Sequence, residues 1–83
     1  MARYVSRRNP VSVSSLKRRP HGTVIVHNYG AYGAVRFTRC TGGWLCEREN
    51  SFCRCPAGVV SSADVAAECN KVIGCKESWA RIY

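Results

Sequence analysis

The chain has 83 residues, six of them cysteine, a formal net charge of +8 and 46% hydrophobic residues. This length allows one domain, whose thin core gives little net stability without a further constraint. No stretch is long enough to cross a membrane, and the balance of charge points to anionic partners rather than to basic ones.

The charge is concentrated at one end. Residues 1–19 carry Arg3, Arg7, Arg8, Lys17, Arg18 and Arg19 with no acid and no cysteine, so three quarters of the net charge sits in under a quarter of the chain. Low apolar content and like charge predict a flexible basic arm or pro-segment, followed by a stapled domain over residues 20–83. Lys17 and Arg18 form a dibasic candidate processing site. Cleavage after Arg18 is expected rather than before Pro20, because proline fits poorly after a scissile bond.

In the body, residues 23–29 are β-branched and aromatic and predict a strand. Gly30 and Gly33 bracket a turn. Residues 34–39 alternate, with Val35 and Phe37 on one face and Arg36 and Thr38 on the other, which predicts a half-buried second strand and hence a hairpin ending at Cys40. Residues 41–58, with Gly42, Gly43, Pro56, Gly58 and four cysteines nearby, read as a bridged loop. Ser61 is placed to cap a helix, with Asp64 three residues on. Val65, Cys69, Val72 and Ile73 share one helical face, and Gly74 supplies a stop. Residues 78–83 read as a last strand. The fold expected is α+β, a small disulfide-rich domain of order β-β-loop-α-β with an antiparallel sheet and one short helix.

The cysteines are Cys40, Cys46, Cys53, Cys55, Cys69 and Cys75, spaced C-x5-C-x6-C-x-C-x13-C-x5-C. An even count at this density in a short chain reads as three disulfides and a secreted protein, each bridge contributing about 2–4 kcal/mol. Six cysteines allow 15 connectivities, and the spacing selects none. The residues before Pro10 contain no apolar run of the signal-peptide kind, which is the observation favouring an intracellular location with reduced thiols. Zinc is then the rival, with His21 and His27 as further ligands, but no C-x2-4-C knuckle occurs and no metal or other cofactor is expected.

Phe52-Cys53-Arg54-Cys55-Pro56-Ala57-Gly58-Val59-Val60, followed by Cys69 and Cys75, resembles the last third of trypsin-inhibitor-like domains, and Cys53 to Gly58 also resembles the close of an EGF-like module. Both families have more cysteines upstream. The first resemblance implies a serine protease inhibitor with its inhibitory loop near residues 46–50 and Arg48 as a basic specificity residue. Residues 24–29 and 32–37 resemble the two sheet motifs of RNA-recognition domains. Here two residues separate them, and Ala34 stands where a base-stacking aromatic belongs, so a glycine-linked hairpin is expected instead.

No nucleophile motif occurs, and the only acid–base pair offered for a small stapled enzyme is His27 with Glu47, so no enzymatic activity is expected. The function expected is that of a small secreted basic effector, toxin or antimicrobial defence protein, monomeric and non-catalytic, binding a protein, a glycan or an anionic surface. Its contact candidates are Arg36, Arg39, Trp44, Arg48 and Arg54, with Tyr32 a further exposed aromatic. An intracellular zinc protein that binds nucleic acid is the other alternative.

Overall fold

The computed structural model describes residues 3–30, 33–48, 58–73 and 78–83. Within them the elements run β1 (Arg3–Tyr4), α1 (Val13–Lys17), β2 (Val24–Asn28), β3 (Ala34–Cys40), β4 (Gly43–Arg48), β5 (Gly58–Val60), α2 (Ser62–Asn70) and β6 (Trp79–Ile82). The strands form one antiparallel sheet in the order β1-β6-β2-β3-β4-β5. The class is α+β, with more strands and one more helix than the sequence suggests.

The β2–β3 hairpin follows the expected pattern. Val24 pairs with Thr38 and Asn28 with Ala34. At the turn, the Gly30 amide donates to Asn28 Oδ1 at 2.7 Å and the Tyr29 amide to the Gly33 carbonyl at 2.8 Å. Gly33 has φ 95°, which a side chain would oppose. Val35 and Phe37 point into the core while Arg36 points out. At α2, Ser61 Oγ accepts from the Asp64 amide and Asp64 reaches back to the Ser61 amide, a complete capping box. Val65, Cys69 and Val72 are buried, as the helical spacing predicts, but the helix ends at Asn70, short of Ile73. Gly74 lies outside the described residues.

Two expectations change. The bridged loop over 41–58 contains two strands: β4 pairs with β3 along its whole length and β5 with β4. Gly43 is what lets β5 come close. A Cβ there would meet the Val60 carbonyl oxygen well inside van der Waals contact. The described part of the basic segment, residues 3–19, packs against the body instead of hanging free. Val5, Val11 and Leu16 are core residues, Leu16 with no exposed surface at all. Asn70 grips this segment at two points, its Oδ1 accepting from the Val11 amide at 2.9 Å and its Nδ2 donating to the Val11 carbonyl at 2.8 Å. Arg3 Nη2 donates to the Asn9 and Pro10 carbonyls, so one base of the supposed arm closes the loop after β1. Three well-placed apolar side chains suffice to anchor a segment whose average composition is polar.

Both described helices cover the same face of the sheet. Leu16, Val65, Ala66, Cys69 and Val72 meet Ile25, Val35, Phe37, Trp44, Val60, Ala80 and Ile82 in a single cluster. No described helix lies on the other face.

Candidate binding face and buried polar cluster

Strand alternation decides which side chains reach the uncovered face. On β6, Ala80 and Ile82 are buried, so Trp79, Arg81 and Tyr83 point the other way. Tyr4 pairs with Arg81 across β1–β6 and shares that face. The three aromatic residues stay exposed: Tyr4 by 54%, Trp79 by 36% and Tyr83 by 51%. They form one group. Tyr4 and Trp79 meet edge to face with centroids 5.9 Å apart, and the Arg81 guanidinium carbon lies 5.2 Å from the Tyr4 centroid and 4.7 Å from that of Tyr83.

The row through Arg81 continues across the sheet to Val26, Arg36 and Glu47. Arg36 Nη2 donates to Glu47 Oε1 at 3.2 Å, both side chains being about half exposed. Such a pair contributes about 0–1 kcal/mol. The far end of the face carries exposed Leu45 and Val59. Beyond the Trp79 end, where Val5 bonds to Ala80, the exposed turn over residues 6–9 presents Arg7 and Arg8.

Of the contact residues named from sequence, Arg36 alone is described on this face. Arg39 points to the covered side, where Nη1 donates to the Cys40 and Gly43 carbonyls at 3.0 and 2.7 Å and the guanidinium lies over Trp44. Trp44 is no exposed anchor. It has no exposed surface, and its Nε1 donates to Ser62 Oγ at 3.1 Å, tying β4 to the start of α2. Arg48 ends β4 opposite Val35. Tyr32 and Arg54 lie outside the described residues. Sequence reasoning missed Tyr4, Trp79, Arg81 and Tyr83. The alternation Trp-Ala-Arg-Ile-Tyr over 79–83 carries that signal in full, while Tyr4 is found only once β1 is known to pair.

A second polar group is buried under α2. Glu68 accepts a hydrogen bond from the Tyr29 hydroxyl, and Lys71 Nζ lies 2.8 Å from Glu68 Oε2. His27 Nδ1 is 3.5 Å from Glu68 Oε1, and its ring packs on Tyr29 with centroids 4.1 Å apart. Burial holds the His27 imidazole below its ordinary pKa of 6.5; Glu68 pulls it up and Lys71 adds to the depression. The neutral ring is therefore favoured. The acid–base pairing of His27 with Glu47 does not form, because His27 faces the helices and Glu47 the open side.

No disulfide joins two described cysteines, and Cys40 stands half-buried at the end of β3 without a bridge. Cys53, Cys55 and Cys75 lie outside the described residues. Among the described residues, no three His, Cys, Asp or Glu side chains gather as a metal would require. The inhibitory-loop candidates from Cys46 to Arg48 lie in β4, hydrogen-bonded along β3, and do not form a projecting loop; residues 49–50 lie outside the described residues. The dibasic pair closes α1, with Lys17 its last residue and Arg18 its C-cap. A protease that needs an extended substrate would have to unwind this turn and withdraw Leu16 from the core. No protein-family model, curated protein or solved structure matches the chain.

Proposed function

We propose that the protein acts without catalysis, as a binding protein that docks an anionic partner on the uncovered face of its sheet. One observation carries this: exposed Tyr4, Trp79, Tyr83 and Arg36 and half-buried Arg81 share a face that no described helix covers, in a chain of net charge +8. Contiguous exposed aromatic groups do not serve folding and usually mark an interaction surface. Charge attracts the partner, and the rings give it something to rest on.

The partner reading expected from sequence stays, with its contact residues moved. Secretion and a monomeric state belong to the same proposal, secretion being supported by the even number of cysteines in a short chain. The binding face itself does not depend on compartment, since no cysteine takes part in the aromatic group.

The test is affinity for immobilised polyphosphate as a function of salt. Binding should weaken steeply between about 50 and 200 mM salt, as counterion release requires. The double variant Arg36→Ala/Arg81→Ala should lose most of it, whereas Arg18→Ala/Arg19→Ala, with the same loss of charge, should lose much less. Equal losses in both would show that net charge alone attracts the polyanion and would overturn the assignment to this face.

A further inference from the structure

We infer that the occupant of the open face is a single-stranded nucleic acid, its bases stacked on Tyr4, Trp79 and Tyr83 and its phosphates met by Arg81 and Arg36; this rests on the docking face proposed above. A charged polymer alone needs no aromatic surface. Here three rings keep a third to a half of their surface in water, two of them against one guanidinium and the third against Tyr4, at the cost of their hydrophobic contribution to folding. Flat rings beside cations are what a chain of flat, negatively linked bases would use, and base–aromatic stacking tolerates any sequence.

The spacing favours a strand over a duplex. Trp79, Arg81 and Tyr83 alternate along β6 and the residue that follows it, so the two aromatic positions are about 13 Å apart with Arg81 between them. Bases stacked in a duplex are separated by about 3.4 Å and hide their faces from a protein. A platform with the wider interval fits bases splayed from a single strand. Tyr4 on the neighbouring strand widens the platform sideways.

Arg81 is also short of partners. Its half-buried guanidinium touches two rings, its Nε is buried without an acceptor, and it has no carboxylate partner among the described residues. Arg39 contrasts with it, its Nη1 being spent on carbonyl oxygens. A phosphate at Arg81 would supply the acceptors the fold leaves out. Arg36 lies two strands away in the same row, and Arg7 and Arg8 flank the Trp79 end, so positive charge borders the rings on both sides.

The experiment compares three ligands of equal length on the full chain: an oligothymidylate of about eight nucleotides, an abasic deoxyribose-phosphate oligomer, and polyphosphate. The oligothymidylate should bind about tenfold or more tighter than the abasic oligomer and quench Trp79 emission, while Trp44 stays buried and silent. Tyr83→Leu and Tyr4→Leu should each reduce oligothymidylate affinity about tenfold, with little change for polyphosphate and an unchanged melting midpoint. Equal affinity for the abasic oligomer would overturn base stacking and leave the anionic docking face standing. No binding to any of the three would overturn both. Preference for a duplex of the same sequence, or for a neutral glycan over the oligonucleotide, would overturn the inference as well.

Discussion

The two faces of the sheet each carry a tryptophan, and they use it in opposite ways. Trp44 on the covered face has no contact with water and its one polar atom is satisfied by Ser62. Trp79 on the open face keeps a third of its surface in water, in a group with Tyr4 and Arg81. Packing accounts for the large apolar residues of the first face, all of which belong to the core cluster. It leaves the second unexplained, and that remainder is what points to a partner. Substitutions can therefore sort the faces: on one side they should cost stability, on the other affinity.

The largest stability effect is expected at Leu16. Leu16→Ala removes a fully buried side chain from the segment that sequence reasoning takes for a free arm, and should cost about 2–5 kcal/mol in denaturant unfolding. A cost near zero would restore the arm. Asn70→Ala should cost about 1–3 kcal/mol, since it leaves the Val11 amide and carbonyl without their shared partner. It should also make the chain more susceptible to trypsin at Lys17 and Arg18.

The buried His27 gives the covered face a pH dependence. Its folded pKa lies below that of the unfolded chain, near 6.5, so the unfolded state takes up the proton first as pH falls. The stability conferred by the neutral ring is present above about 6.5 and declines as pH falls through that value toward the lowered folded one. Melting midpoints measured between pH 7.5 and 5 (roughly the range in which histidine titrates) should drop on acidification, and His27→Gln should flatten that part of the profile.

The smallest stability effect should come from the open face. Glu47 is its one acid among the described residues, paired with Arg36 in water. Glu47→Gln should change stability by less than about 1 kcal/mol. It should nevertheless raise polyanion affinity measurably, because it frees Arg36 and removes a repulsive charge. A drop in affinity would mean that Arg36 needs Glu47 to hold it in position.

How much of this was legible depended on whether a local signal agreed with its surroundings. The β2–β3 hairpin and the capped start of α2 could be read directly: β-branched runs, a glycine-bounded turn, and Ser61 with Asp64 each specify structure within a few residues. Strand β4 alternates as well, with Trp44 and Cys46 inward and Leu45 and Glu47 outward, but Gly42, Gly43 and the nearby cysteines favour a loop reading. Helix α1 has five residues and could not persist alone. It exists because Leu16 is buried and Asn70 holds Val11, contacts across more than 50 residues that no local pattern announces. The binding face suffered from the same gap. Trp79, Arg81 and Tyr83 were visible as an alternating triplet, yet only the sheet order brings Tyr4 beside them and leaves their side uncovered.

The division between the faces is tested most directly by the indole N–H resonances of the two tryptophans, one for each face, in a 15N-labelled sample titrated with oligothymidylate. The Trp79 signal should shift progressively to saturation while the Trp44 signal stays in place. Movement of Trp44 comparable to that of Trp79, or a Trp79 signal that stays fixed while binding is seen by another method, would contradict the assignment of binding to the open face.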